Sequence, residues 1–291
     1  MALLTLADGR TLEFRASGPE DGLALVIQHG TPGSLARFRV FEEQAERRGL
    51  RLVTYSRPGY GSSTRQPGRV VADVAADLEA VLDHLGAERC VTLGWSGGGP
   101  HALACAALLP SRVAAVASVA GVGPFGQDDL DFMAGMGEEN VVEFGAAVAG
   151  AGDLTPALRG AAEALRDAEP ADLIEAMSTL LPPADRAALD GRNGEDLAAM
   201  MTAGLQTGAD GWIDDDLAFV APWGFDPAAI RIPVSVWQGE QDLMVPFAHG
   251  RWLAEHIPGA AVHLQPGRGH LSIFFENIDE IFDGLVAAAQ G

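Results

Sequence analysis

The strongest constraint on the fold is a repeated alternation of short apolar runs with longer runs of helical periodicity. Apolar stretches typical of buried strands occur at 23–29, 51–56, 89–95, 113–120, 232–238 and 261–265. Helix-like segments occur at 34–48 and 71–85, after the glycines at 97–99, and at 247–257 and 272–288. This order predicts an α/β fold with a mostly parallel sheet, helices on both faces and ligands at the carboxyl ends of the strands.

The beginning and the middle of the chain depart from this alternation. Residues 2–17 alternate apolar and polar side chains around Asp8-Gly9, which predicts an N-terminal hairpin. Residues 124–223 are rich in alanine, acidic residues and helix formers, and they contain no convincing strand. We therefore predict a core domain formed by residues 1–123 and 224–291, with a helical cap inserted over residues 124–223.

Charge and residue usage exclude several functions. The 291 residues have a formal net charge of -21, and all 19 basic residues are arginine. Without lysine, a Schiff base, pyridoxal chemistry and a Gly-Lys phosphate loop are excluded. An acidic surface disfavours nucleic acid, and no apolar run is as long as a membrane span or has the flanks of a signal peptide. We expect a cytoplasmic protein with a small-molecule substrate, no cofactor, no metal, no nucleic acid and no membrane partner; a homodimer is left open.

The sequence GWSGG, residues 94–98, joins the strand predicted at 89–95 to a helix. It satisfies G-x-S-x-G, in which a nucleophilic serine occupies a sharp strand-to-helix turn and the glycines relieve crowding on either side. The alternative is a glycine-lined helix start with serine as the capping residue. We predict that Ser96 is a nucleophile.

A serine hydroxyl is a poor nucleophile unless a base takes its proton and a third group orients that base. Asp242 follows the strand predicted at 232–238, and His270 follows the strand predicted at 261–265. Both residues would therefore lie at the same edge of the sheet as Ser96. Glu240 is the competing acid. The predicted catalytic triad is Ser96, His270 and one of these two acids.

Backbone N–H groups held in place are the usual means of stabilising the oxyanion in such a reaction. Gly97, directly after the nucleophile, is predicted to supply one of them. The sequence HGTPG, residues 29–33, follows an early strand and predicts Thr31 as the second donor. An ordinary turn, which Pro32 and Gly33 also favour, is the alternative for this segment.

Five motifs in this order resemble the α/β-hydrolase superfamily: HGTPG, SRPGYGSS, GWSGG, GEQDLMVP and GRGH. The resemblance covers almost the whole chain apart from the insertion. It implies an eight-stranded, mostly parallel sheet with a helical cap after the sixth strand. The position of Asp242 before LMVP matches the acid of the family, so the resemblance implies Asp242 instead of Glu240 and a triad of Ser96, Asp242 and His270. The segment that begins here with Ser56 usually begins with aspartate in that family.

The resemblance also narrows the reaction. Similar epoxide hydrolases and haloalkane dehalogenases use an aspartate nucleophile, so Ser96 argues against both. We predict hydrolysis of a carboxylic ester or related acyl bond of a small molecule through an acyl-enzyme. The combination of HGTPG and RPGYG also resembles prolyl aminopeptidases, although their nucleophile motif reads more like G-G-S-W-G. A peptidase is therefore the second hypothesis, and a non-catalytic small-molecule receptor of the same fold is the third.

Contacts to the substrate are predicted from the neighbours of these motifs and from apolar residues of the cap: His29, Gly30, Trp95, Met133 and Phe144. In a peptidase, the free amine of the substrate would need acidic partners, which Glu138, Glu139 and Glu143 offer. The acidic runs at 128–131 and 214–216 are interpreted as a solvated face of the cap.

Overall fold

The computed structural model describes residues 1–166, 168–189 and 191–290. Within them, one sheet of eight strands has the order β1-β2-β4-β3-β5-β6-β7-β8. The strands are β1 (Ala2–Thr5), β2 (Thr11–Ser17), β3 (Ala24–Gln28), β4 (Arg51–Tyr55), β5 (Cys90–Trp95), β6 (Val113–Val119), β7 (Val234–Gly239) and β8 (Ala261–Gln265). Only the pairs β1–β2 and β2–β4 are antiparallel among these strands. The predicted mostly parallel sheet and N-terminal hairpin are confirmed.

The α-helices of the described residues are α1 (Arg39–Arg47), α2 (Val74–Leu85), α3 (Gly98–Leu108), α4 (Glu138–Ala149), α5 (Ala151–Leu165), α6 (Pro170–Ala176), α7 (Pro183–Ala188), α8 (Gly191–Leu205), α9 (Asp210–Val220), α10 (Phe247–His256), α11 (Ser272–Phe275) and α12 (Ile278–Gln290). Helices α4 to α9 lie between β6 and β7, and we call residues 138–220 the helical insertion. It falls within the range predicted for the cap. The division of the chain into two domains stays a prediction.

The central strands are buried on both faces, which explains why they read as continuous apolar runs. Along β3, Ala24 and Val26 pack toward the core that contains α2, α3 and α10, whereas Leu25 and Ile27 pack toward the core that contains α1 and α12. This alternation is the period of two expected for a strand. Helices therefore cover both faces of the sheet and leave its strand ends accessible for a site.

Two helix boundaries differ from the sequence prediction. Helix α1 begins at Arg39 instead of residue 34. At Arg39, the Asp196 carboxylate of the helical insertion accepts the backbone N–H at 2.7 Å. The single helix predicted at 272–288 is two helices, α11 and α12. Asn277 lies between them, and its side chain donates to the Ile273 carbonyl at 2.8 Å, which ends α11. In the described part of the chain, no helix has both the length and the apolar character of a bilayer span.

Candidate active site

Ser96 lies on the turn that connects β5 to α3, at the carboxyl edge of the sheet. Its φ of 58° is a left-handed conformation that costs a residue with a side chain about 1–3 kcal/mol. The surrounding structure holds this conformation, because the Ser96 N–H donates to the Val119 carbonyl at 2.9 Å and its carbonyl accepts from Gly99. The backbone thus presents the hydroxyl at the edge of the sheet, as the nucleophile hypothesis requires.

The glycines around Ser96 are explained by the close approach of α3 to the sheet. A Cβ added at Gly94 would lie 2.7 Å from the Ala102 Cβ, and one added at Gly98 would lie 2.8 Å from the His29 carbonyl oxygen. Real Cβ atoms do not approach other atoms this closely. Any larger residue at Gly94 or Gly98 would therefore push α3 away from the sheet and displace Ser96.

His270 and Asp242 form a buried pair in the loops that follow β8 and β7. The His270 Nδ1 and an Asp242 carboxylate oxygen are 2.8 Å apart. The other carboxylate oxygen accepts the N–H groups of Met244 and Val245 at 2.9 and 2.8 Å. Glu240, the competing acid, is exposed. The structure thus brings together the predicted acid and base.

Electrostatics make His270 a stronger base than an ordinary histidine. Burial alone would lower the pKa of His270, but the Asp242 carboxylate, with a further contribution from Asp185, outweighs burial and raises that pKa. Since Asp242 lies at Nδ1, the second ring nitrogen is the one available to a hydroxyl group.

Ser96 and His270 line one cavity of about 600 Å³. Among the described residues, no hydrogen bond joins the Ser96 hydroxyl to another side chain. Catalytic hydrogen bonds are often long without substrate and tighten in the complex. Ser96 and the His270 imidazole therefore line the same cavity, and no hydrogen bond joins them among the described residues.

Thr31 and Gly97 line the same cavity. A Cβ added at Gly97 would lie 2.8 Å from the Thr31 Cβ, so the two predicted oxyanion residues are direct neighbours. Within the part of the chain that the structure describes, neither backbone N–H has a protein hydrogen-bond partner. Two unpaired donors beside Ser96 suit the role predicted for them.

The cavity is mainly apolar and lies between the sheet edge and the helical insertion. Gly30, Trp95 and Phe144, three of the predicted substrate contacts, line it. Apolar side chains of the insertion complete the wall, among them Leu154, Leu158, Met200, Met201 and Phe219. The carboxyl side chains on this wall are Glu138, Glu139, Glu143 and Asp216. No arginine lines the cavity in the described ranges.

Two predicted substrate contacts, His29 and Met133, are not part of the cavity lining. The His29 imidazole is buried, accepts the Arg57 N–H at 3.2 Å and lies 2.7 Å from the Gly30 carbonyl. Burial, assisted by the Arg57 charge, holds the pKa of His29 well below its usual value. His29 is thus a neutral residue that braces its own loop, and Met133 packs against the apolar core.

The interpretation of residues 214–216 as a solvated acidic face is wrong, because all three aspartates are buried. Asp215 has no exposed surface and forms ion pairs with Arg57 at 2.6 Å and Arg69 at 2.7 Å. Burial alone would raise the pKa of Asp215, but the two arginines outweigh it and hold the pKa well below its usual range. Asp215 also accepts the hydroxyl groups of Thr31 and Tyr60, at 2.7 and 2.9 Å. A charged group of α9 therefore contacts the predicted oxyanion loop.

Asp216 and Glu143 form a pair of carboxyl groups between α9 and α4. Glu143 also accepts the Trp212 indole N–H at 2.8 Å. Burial raises the pKa of both carboxyl groups, and the Glu143 charge raises that of Asp216 further, well above its usual value. One carboxyl oxygen of Asp216 has no hydrogen-bond partner. The raised pKa values favour a protonated Asp216 beside Glu143.

Three residues that contact the predicted machinery were not predicted from the sequence, namely Arg57, Asp185 and Asp215. A weak signal existed for Asp215, because consecutive residues on a helix differ by about 100° and three aspartates in a row cannot all face one side. Asp185 offers no such signal, since three of its four hydrogen bonds come from backbone N–H groups and the fourth from the Ser272 hydroxyl. Arg57 lies in the segment that begins with Ser56, and its buried guanidinium donates to the Thr31 hydroxyl at 3.0 Å.

Comparison with known proteins identifies the class. Residues 24–277 match the family model described as the alpha/beta hydrolase fold, so the chain belongs to the α/β-hydrolase family. It is 27% identical over 268 residues to the hydrolase YcgS of Bacillus subtilis strain 168, covering 91% of this chain and 89% of that protein. It is 29% identical over 250 residues, 80% of each chain, to the pimeloyl-[acyl-carrier protein] methyl ester esterase of Chromobacterium violaceum.

A solved structure agrees with this assignment at the level of the fold. The enol-lactonase of Burkholderia xenovorans LB400 matches the whole of both chains with a TM-score of 0.71. Its sequence is 20% identical to this chain, so the likeness shows a common fold and not a common reaction.

Proposed function

We propose that this protein is a serine hydrolase that cleaves a carboxylic ester or related acyl bond of a small molecule through an acyl-enzyme. The observation that carries the proposal is the meeting of three features at one cavity. Ser96 occupies a strained turn, the His270–Asp242 pair lies at the same cavity, and the N–H groups of Thr31 and Gly97 are unpaired. A structural serine would need neither a paired imidazole nor free amides beside it.

The reaction follows from these positions. The second ring nitrogen of His270 takes the Ser96 proton as the serine oxygen bonds to the acyl carbon, and the carbonyl electrons move to its oxygen. The amides of Thr31 and Gly97 stabilise that oxyanion. The carbonyl then re-forms as the bond between the acyl carbon and the alcohol oxygen breaks, and the leaving alcohol takes the proton from His270. In the second half of the reaction, His270 takes a proton from water as the water oxygen bonds to the acyl carbon. The bond to Ser96 then breaks, Ser96 takes the proton back, and the carboxylic acid is released.

The lining of the cavity supports a small, largely apolar acyl group. Its wall carries carboxyl groups and, among the described residues, no arginine, which disfavours phosphate-bearing or carboxylate-bearing substrates. The relative from Chromobacterium violaceum is named as an ester hydrolase, which agrees with ester cleavage here. We therefore assign the protein to carboxyl ester hydrolases.

A fluorophosphonate probe tests the proposal, because it labels only an activated serine. The native protein should be labelled and should hydrolyse p-nitrophenyl esters, whereas Ser96→Ala should take no label and lose on the order of a million-fold in turnover. Equal labelling of native protein and Ser96→Ala would show that the activated serine lies elsewhere. Absence of label and turnover in the native protein would overturn the proposed function.

One observation supports the second candidate, an aminopeptidase. Glu138, Glu139 and Glu143, the acids predicted to hold a free amine, all line the cavity. Prolyl and alanyl naphthylamides, assayed beside the p-nitrophenyl esters, separate the two reactions. Faster cleavage of the aminoacyl amides than of the esters would favour the peptidase.

A further inference from the structure

The side chain of Asp185, on α7 of the helical insertion, is fully buried against the loop that carries His270. One carboxylate oxygen accepts the His270 N–H at 2.7 Å. The other accepts the N–H groups of Leu271 and Ser272 at 3.0 and 2.8 Å, and the Ser272 hydroxyl at 2.7 Å. Every hydrogen bond to this carboxylate therefore comes from three consecutive residues.

This carboxylate differs from the other links between the helical insertion and the core. Asp196 and Asp214 also reach the core, but each forms an ion pair with an arginine. A buried carboxylate is costly unless it is paired or well hydrogen-bonded. In the described residues Asp185 has no arginine partner, and uncharged donors of the His270 loop hold it instead. The Asp185 carboxylate thus binds specifically to the His270 loop.

The carboxylate completes the immobilisation of His270. The Trp95 indole N–H donates to the His270 carbonyl at 3.3 Å, and the Asp242 carboxylate holds Nδ1 at 2.8 Å. Asp185 holds the remaining polar group of the His270 backbone, the N–H. These three contacts together hold the backbone and the ring of His270 at the cavity that it lines.

The chain provides space for this approach at Gly269. A Cβ added there would lie 2.6 Å from two atoms of the Asp185 carboxyl group, so a larger residue would force α7 and the loop apart. The Asp185 side chain has equally little space to lengthen toward the loop. The close contact therefore requires both the absence of a side chain at Gly269 and the short side chain of Asp185.

We propose that Asp185 is a positioning residue for the reaction: from the helical insertion, it fixes the backbone of His270, and its charge favours the imidazolium that forms when His270 takes the Ser96 proton. This proposal rests on the proposed function. The charged groups that act on His270 are Asp242, from the loop after β7, and Asp185, from α7. The carboxyl groups of Glu138, Glu139, Glu143 and Asp216 line the same cavity from α4 and α9. The insertion thereby contributes to the geometry of the base as well as to the cavity wall.

Asp185→Asn tests both parts of the proposal on the full chain, with p-nitrophenyl butyrate as substrate. An amide has one acceptor and no charge, so the loop loses hydrogen bonds and His270 loses a favourable charge. We expect kcat to fall about 10- to 100-fold with KM little changed, because a displaced base misaligns proton transfer. The acidic limb of the kcat/KM profile, which reports neutral His270, should move to lower pH, because the neighbouring charge that raised the pKa of His270 is gone.

Asp196→Asn is the matched control. Asp196 is also a buried aspartate of the helical insertion that accepts a core backbone N–H, from Arg39 at 2.7 Å, but it does not contact the His270 loop. Its substitution should lower the melting temperature and leave kcat and the pH profile unchanged. If Asp185→Asn also loses only melting temperature, the proposal is overturned.

Asp185→Glu decides the matter if the asparagine variant does not fold. It retains the charge but needs room for an additional methylene beside Gly269, so kcat should fall while the acidic limb stays in place. Native kcat in Asp185→Glu would overturn the proposal. Failure of the proposed function is distinguishable, because the native protein would then neither react with fluorophosphonate nor hydrolyse the ester.

Discussion

The carboxylate of Asp215, on α9, accepts a hydrogen bond from the Thr31 hydroxyl at 2.7 Å. Its ion-pair partner, Arg57, also donates to the Gly30 carbonyl at 3.2 Å. In a trans peptide the N–H points opposite to the carbonyl, so holding the Gly30 carbonyl also directs the Thr31 N–H. The buried pair of Arg57 and Asp215 thus determines the orientation of a predicted oxyanion donor.

Loss of the Asp215 charge should destabilise the fold strongly. Asp215→Asn leaves Arg57 and Arg69 without a counter-charge in a fully buried site, and breaking such a pair costs about 3–5 kcal/mol of unfolding free energy. The neighbouring Asp214 is also buried, but its partner Arg65 is 33% exposed and pairs with Asp210 as well, at 3.0 Å. Asp214→Asn therefore leaves a partly solvated, still paired arginine and should cost about 1 kcal/mol or less. Urea unfolding of both variants measures the difference. Equal losses would show that Asp215 does not hold the arginines as the geometry indicates.

Thr31→Val tests how the position of the Thr31 loop affects catalysis, and it leaves the buried charges of Arg57 and Asp215 in place. Valine keeps the shape of threonine and the backbone N–H but cannot donate to Asp215. Removing an oxyanion donor typically costs 100- to 1000-fold in kcat, so a displaced donor should cost less, about tenfold, with KM little changed. Binding of a trifluoromethyl ketone, whose adduct carries an oxyanion, should weaken by the same factor.

Asp214→Asn is the control for this experiment, because Asp214 lies on the same helix and does not contact the oxyanion loop. It should bind the trifluoromethyl ketone as the native protein does. If Thr31→Val behaves like Asp214→Asn in kcat and inhibitor binding, then the Thr31 hydroxyl plays no part in orienting the donor.

A residue could be predicted from the sequence where its place at the end of a strand determines its partners. Ser96, Asp242 and His270 each follow a strand, and parallel strands bring their carboxyl ends to one edge, so the local pattern is enough to predict their meeting. The fold was predictable for the same reason, since buried strands and amphipathic helices have distinct periods. The pairing of His270 with Asp242 follows from topology.

The contribution of the helical insertion was not predictable in this way. Asp185 is separated from His270 by 85 residues, and it accepts hydrogen bonds mainly from backbone N–H groups, which every sequence contains. The run 214–216 resembled a solvated surface because charge is usually exposed. It is buried because α9 packs against α4 and α5 and also contacts the loops of Thr31 and Arg57, which only the tertiary structure reveals.

The Glu143–Asp216 pair should make stability fall as the pH rises. Both carboxyl groups have a raised pKa in the folded protein, so the fold retains a proton that the unfolded chain releases above about pH 4. Their contribution to stability is therefore complete below that pH and is lost as the pH rises through the folded pKa values. Asp216→Asn removes one acid while its amide can donate to Glu143. Between pH 5 and pH 8, its unfolding free energy should consequently fall less than that of the native protein.

Urea unfolding at several pH values tests this expectation, with each unit of difference in pKa corresponding to about 1.4 kcal/mol. Glu138→Gln serves as control, because it removes an exposed carboxylate from the same cavity wall. The control should follow the native pH dependence. If Asp216→Asn follows it too, the pair does not share a proton.

The volume of the cavity should limit the length of the acyl chain. Each methylene that enters an apolar wall contributes about 0.8 kcal/mol, roughly a fourfold gain in kcat/KM, until the space of about 600 Å³ is filled. Leu154 is fully buried on α5 and lines this space, so Leu154→Phe should shift the preferred p-nitrophenyl ester to a shorter acyl chain. Val148→Phe provides the control, since Val148 is 46% exposed on α4 and does not line the cavity. An unchanged preference in Leu154→Phe would mean that the acyl group binds outside this cavity, because a filled wall must exclude the longest chains first.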